Sequence, residues 1–258
     1  MIVFYVLPFF SSLAFSNPKT DGNDFLDKIT NVEDMLINWT QLRLELQNTS
    51  DIDGSLQLKE STACQEINDQ FHEYTLSIPI TSESVLYDLV QKDENLQGNL
   101  RRELNNWVPK ETIYIQEPEE VRVVGHLNLQ AYLQPLILES ARNFVPSQDA
   151  SPYSGVIIDA RTSSFHPVLF PEILYSDGNT FLDINSFSKI YARTSFPVRY
   201  VTDPADELVS KTVGSSPIFF TSSKLHNNNL VVDQQHNAKI QKELENAIAK
   251  GKVVIVIQ

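Results

Sequence analysis

Tyr153-Ser154-Gly155-Val156-Ile157-Ile158-Asp159-Ala160-Arg161 and Val253-Val254-Ile255-Val256-Ile257 decide the fold of this chain. Each contains a short run of β-branched and apolar residues with no polar alternation, the pattern of a central strand covered on both faces. The two runs are expected to lie side by side. Just ahead of the second, Ile240, Leu244, Ala247 and Ile248 repeat at helical spacing, with Asp233 expected as the N-cap and Gly251 as the stop. A helix feeding straight into a buried strand is half of an α/β unit, so residues 153–258 read as a mixed α/β domain. Between these ends, residues 170–220 read as short strands and turns. Asp177-Gly178 joins Ile173-Leu174-Tyr175 to Phe181-Leu182 in a hairpin.

Upstream the period changes. Gln41 to Gln47 alternates apolar and polar, the signature of a strand with one wet face. Ala63, Ile67, Phe71, Tyr74 and Ile78 form a helical stripe that Pro79 ends. Ser82 or Ser84 is placed to cap a short helix carrying Val85, Leu86, Leu89 and Val90, and Leu96, Leu100, Leu104 and Trp107 make a further stripe. Thr112 to Ile115 reads as a strand. A longer one alternates from Val121 to Leu133, with Glu117-Pro118-Glu119-Glu120 as the turn between them. Residues 37–142 are therefore an α+β domain, helices on one face of an antiparallel sheet. Residues 143–152, rich in Pro, Ser and Asp, read as the linker between the two domains.

Residues 1–16 are apolar and end in Ala14-Phe15-Ser16, the layout of a signal peptide without a basic n-region; residues 17–36 form a polar lead. The expectation is an exported, periplasmic chain. No later stretch has the length of apolar residues that a transmembrane helix needs. The one cysteine, Cys64, excludes an internal disulfide and is too far from residue 16 to carry a lipid at a new N-terminus. A net charge of −13 disfavours nucleic acid and anionic lipid as partners and suits a protein or glycan.

Candidate chemistry concentrates at Asp159, Arg161 and His166, just past the carboxyl end of the first buried strand. Open α/β sheets bind ligands at that edge, and these side chains could orient a substrate or move a proton. Asp159 and Arg161 are also two residues apart on extended backbone, so they share a face and can simply pair with each other. Ser186-Phe187-Ser188-Lys189 matches S-x-x-K, but the companion S-D-N and K-T-G elements are absent. The five histidines show no metal-binding spacing, Asp51-Ile52-Asp53-Gly54 lacks the remaining ligands of a calcium loop, and the glycines form no phosphate loop. The sequons at Asn38 and Asn48 read as chance. No catalytic residue, metal or cofactor is expected.

The C-terminal half resembles a family of exported bacterial proteins in which a segment like Y-T-G-L-V-I-D-A-R-G precedes P-x-L-x-P-x-I and a hairpin. Here these are Tyr153 to Arg161, Pro167 to Ile173 and Asp177-Gly178; Val198-Arg199-Tyr200-Val201, Val213-Gly214-Ser215-Ser216-Pro217 and Val253 to Val256 follow in the same order. The N-terminal part is similar more loosely, through Ile37-Asn38-Trp39-Thr40 and Gly125-His126-Leu127. The family is similar to small outer-membrane lipoproteins and to flagellar accessory proteins that build periplasmic rings. Thr162 stands where its pattern has Gly, and the lipobox cysteine is missing. The resemblance implies a non-catalytic structural or assembly protein of the cell envelope, homo-oligomeric, with envelope or flagellar proteins as partners. The alternative is a periplasmic binding module for a small ligand or glycan seated at Asp159, Arg161 and His166.

Overall fold

The computed structural model describes residues 31–32, 35–105, 107–116, 119–146, 151–192 and 194–258. The signal peptide, most of the polar lead, Glu117-Pro118 of the expected turn and residues 147–150 of the expected linker lie outside the described residues.

The N-terminal half opens with β1 (Asn31–Val32), β2 (Met35–Asn38) and β3 (Arg43–Ser50), followed by the long helix α1 (Leu56–Leu76). A small ribbon of β4 (Pro79–Thr81) and β5 (Ser84–Val85) leads into α2 (Leu86–Val90) and α3 (Glu94–Leu104). The hairpin β6 (Val108–Gln116) and β7 (Glu119–Asn128) comes next, then α4 (Leu129–Tyr132) and α5 (Gln134–Ser140). The main sheet is antiparallel in the order β1-β2-β3-β7-β6. Leu44 and Leu46 of β3 and Val121, Val123 and Leu127 of β7 are buried, and α1 covers that face with Ala63, Ile67 and Phe71. The period-two and period-four patterns thus meet in one core.

Several boundaries differ from the sequence reading, each for a local reason. Ser55 caps α1, accepting from Leu58 N–H at 3.3 Å, and the helix ends at Leu76; Thr75, not Tyr74, takes the last buried position, its hydroxyl donating to Phe71 O at 2.6 Å. Neither Ser82 nor Ser84 caps α2. Ser84 belongs to β5, and Asp88 reaches back to accept from Val85 N–H at 3.0 Å. Trp107 falls beyond α3. The strand that alternates from Val121 stops at Asn128, whose side chain accepts from Ala131 N–H at 3.1 Å and starts α4, so Leu129, Ala131 and Leu133 alternate without being extended. Asn237, not Asp233, caps the last helix, accepting from Lys239 and Ile240 N–H.

The C-terminal half contains β8 (Gly155–Asp159), the hairpin β9 (Ile173–Tyr175) and β10 (Thr180–Leu182), β11 (Arg199–Val201), α6 (Glu207–Val213), β12 (Pro217–Thr221), β13 (Lys224–His226), β14 (Asn229–Val232), α7 (Ala238–Ala249) and β15 (Val253–Val256). Its main sheet is parallel throughout, ordered β11-β15-β8-β12, and places Val253 beside Val156 as the two apolar runs lead one to expect. A smaller mixed sheet runs β10-β9-β14-β13.

Alternation across the parallel sheet explains why its strands are apolar throughout. Ile157, Val201, Val254 and Val256 face Val209 and Val213 of α6, while Val156, Ile158, Tyr200, Val253 and Ile255 face the opposite core, where Leu244 and Ile248 of α7 lie. That second core is continuous with the core of the N-terminal half. Trp39 meets Tyr200 edge-on at 5.9 Å, and the Leu169 and Phe170 N–H groups donate to Pro79 O at 2.9 Å and Ile80 O at 2.7 Å. Among the described residues no helix is long and apolar enough to cross a membrane.

Candidate functional site

The carboxyl ends of β8, β11 and β12 set the polar residues of the C-terminal half along one edge. Asp159 is the last residue of β8, and a tight turn brings Arg161 back onto it. The Arg161 Nε donates to Oδ1 at 2.9 Å, its Nη2 to Oδ2 at 2.6 Å, and its backbone N–H to Oδ1 at 3.2 Å. The pair is a closed fork, both carboxylate oxygens engaged by one guanidinium. Hydrogen bonding from Arg161 holds the Asp159 carboxyl below its ordinary value; the same bond, with the Asp159 charge, raises Arg161, and the Asp203 carboxylate beyond β11 adds to that. Both side chains remain solvent-accessible.

A second knot of the same kind lies beside it. Thr221, at the end of β12, and Ser223 donate to the Asp233 carboxylate at 3.2 and 3.1 Å, while Asp233 N–H donates to Thr221 O at 2.9 Å. Ser222 is buried between the knots, its N–H on Asp159 O and its hydroxyl on Val231 O at 2.8 Å. His166 sits half-buried on the segment leading to β9 and makes no hydrogen bond or ion pair with Asp159 or Arg161. The structure therefore brings two of the three expected residues together.

The S-x-x-K serines are tied into the scaffold. Ser186 bonds to Asp183 through its N–H and its hydroxyl, both at 3.0 Å, and the buried Ser188 hydroxyl donates to Phe144 O.

A cleft of about 440 Å³ opens elsewhere, where α7 passes the 3₁₀ turn Ile184–Ser186 and the segment at Arg142. Arg142, Lys242 and His236 line it together with Asp183, Gln241 and Glu245. Arg142 lies over the Phe144 ring at 4.9 Å; Gln241 accepts from the Tyr175 hydroxyl at 2.6 Å and donates to Phe181 O at 2.9 Å. Sequence reasoning missed this set. Gln241, Lys242 and Glu245 flank the apolar stripe of α7 and were readable only as its wet face, and Arg142 stands just ahead of the expected linker. Among the described residues no cluster of His, Cys, Asp and Glu is arranged to hold a metal.

The second half is thus a mixed α/β unit, a parallel sheet beside a smaller mixed one, whose edge polar groups are knotted to one another. Residues 155–258, less than half of the chain, match the family described as Treponema pallidum Tp0624, second domain, from the first residue of β8 to Gln258. No curated protein matches the chain.

Proposed function

We propose that this chain is a non-catalytic structural or assembly protein of the bacterial cell envelope, exported to the periplasm and working in contact with envelope or flagellar proteins. The observation that carries this reading is the closure of Asp159 on Arg161 and of Asp233 on Thr221 and Ser223, at the edge where an open parallel sheet usually offers polar groups to a ligand. Side chains spent on each other brace loops. The apolar residues left exposed at the outer strands, Tyr114 on β6 and Phe219 on β12, supply contact surface for a partner. Mild cross-linking of the intact envelope, followed by affinity isolation and mass spectrometry, tests it: envelope or flagellar proteins recovered in fixed proportion are expected, and recovery of the chain alone removes the proposal.

The cleft at α7 favours a second reading, a binding module for a small polar ligand or glycan. Its seat would be Arg142, His236 and Lys242 rather than Asp159, Arg161 and His166. Replacing Arg142 and Lys242 together by Ala is then expected to abolish retention of an envelope-derived small molecule while leaving the melting curve unchanged; equal retention by both proteins counts against it.

A further inference from the structure

We infer that the cleft along α7 takes a zwitterion, a free amino acid or a short peptide whose carboxylate is gripped by Arg142 and Lys242 and whose ammonium is met by Glu245. This rests on the binding-module reading above and deepens it by naming the chemistry of the ligand.

Much of the polar lining is spent on the protein itself. The Asp183 carboxylate accepts from the Ser186 N–H and hydroxyl and from the Asn185 amide, each at 3.0 Å. The Gln241 amide is engaged at both ends, by the Tyr175 hydroxyl and Phe181 O. Three charged side chains differ. Among the described residues, those of Arg142, Lys242 and Glu245 make no hydrogen bond or ion pair. Lys242 and Glu245 lie three apart on one face of α7, a spacing at which opposite charges can close on each other. They stay apart, although the same helix brings Lys239 to 4.0 Å from Glu243.

The signs of these charges select the ligand. Arg142 and Lys242 balance Asp183 and Glu245, so the lining is formally neutral with His236 uncharged. A simple anion gains the two cations but is opposed by Glu245, and a simple cation meets the reverse. A neutral sugar displaces water from all three open charges and pairs none of them. A molecule carrying both charges answers each.

Both walls hold their groups in place. The Arg142 N–H donates to Phe187 O at 3.0 Å and its carbonyl accepts from Lys189 N–H at 3.1 Å. Its guanidinium lies over the Phe144 ring at 4.9 Å, a stacking that leaves the in-plane N–H fork free for a carboxylate. Across the cleft, the buried Leu244 and Ile248 and the doubly bonded Gln241 anchor α7, so Lys242 and Glu245 project from a fixed helix. Phe144 and Ile248 add apolar surface for a side chain, and about 440 Å³ lies within the roughly 300–1,000 Å³ of small-ligand sites.

Isothermal titration of the purified chain with L-leucine, leucyl-leucine, N-acetyl-leucine and leucine amide tests the assignment. One of the two zwitterions is expected to bind with a dissociation constant below about 1 mM, and which of them does separates a free amino acid from a peptide. The probes lacking either charge should bind at least about tenfold more weakly. Glu245→Gln should cost the zwitterion a similar factor and leave N-acetyl-leucine as it was, whereas Arg142→Ala weakens both, each variant with an unchanged circular dichroism spectrum. N-acetyl-leucine binding as tightly as the zwitterions, or a zwitterion indifferent to Glu245→Gln, overturns the inference. If no probe binds, yet the chain retains an envelope-derived small molecule that the Arg142→Ala, Lys242→Ala double variant loses, the zwitterion falls and the binding-module reading stands. If neither is seen, both fall.

Discussion

Gly155 opens β8 directly against the end of α6: a Cβ there would come 2.6 Å from the Val213 Cα and 2.7 Å from its carbonyl oxygen. Backbone cannot rotate out of the way as a flexible side chain can. Gly155→Ala is therefore expected to cost about 1–3 kcal/mol, read as a lowered urea midpoint at unchanged slope. Asp159 behaves differently, because its pairing is local and exposed. Its depressed carboxyl contributes stability that is present above the unfolded value, about 3.9, and is lost as the pH falls through the folded value. Asp159→Asn should remove that contribution, lowering stability near neutrality and flattening the profile across the acid range so that the two proteins converge at low pH, as pH-dependent melting will show. The buried tyrosines act at the other end. Burial, helped by Asp177, pushes the Tyr175 hydroxyl up to about 12, and complete burial pushes that of Tyr200 higher still, where it donates to Val168 O at 2.8 Å. The unfolded chain releases these protons first, so stability is full below about 10 and declines as the pH rises toward the folded values. Tyr200→Phe should reduce that alkaline decline while lowering stability at neutral pH, two changes that one melting series separates.

The β6–β7 hairpin is fastened to α1 by Lys59, only 4% exposed, whose ammonium donates to Glu119 O at 2.6 Å and stands 3.6 Å from the Glu119 carboxylate. Lys59→Met keeps the aliphatic packing but strips the donor. The orphaned carbonyl should cost about 1–3 kcal/mol, with hydrogen exchange accelerating first at the hairpin end. No sequence pattern announces this contact, since a lysine on an amphipathic helix reads as solvated. Legibility at this scale follows burial. The runs Val156–Ile158 and Val253–Ile257 were readable because both faces of the sheet are covered, and the stripe through Ala63, Ile67 and Phe71 because one face of α1 is. The change from β7 to α4 was hidden, because Leu129 and Leu133 continue the alternation that Asn128 interrupts with a single side-chain hydrogen bond. At the candidate site, the Asp159–Arg161 pair followed from a two-residue spacing, but the separation of His166 and the assembly of Arg142 with Lys242 depend on how distant segments pack. Phe219 was hidden too: within Ile218-Phe219-Phe220 nothing marks the middle ring as exposed until the strand is placed at the edge.

The whole molecule shares one apolar interior across its two halves, through Trp39 against Tyr200 and the Leu169 and Phe170 hydrogen bonds to β4. Cooperative unfolding is the expected consequence. Tryptophan emission and far-ultraviolet dichroism should report the same urea midpoint, and a lone 153–258 fragment should bind hydrophobic dyes through the face it loses; separated transitions would show that the common interior carries little energy. The position of β15 carries this further into time. It is the last element along the chain, yet it lies between β11 and β8. Until residues 253–256 are in place, β11 has no neighbour and β8 has only β12 in the main sheet, so the parallel sheet waits with a slot through its middle. Delivery of a four-residue strand closes it, and the parallel sheet passes from two separate parts to one continuous ladder in that single step.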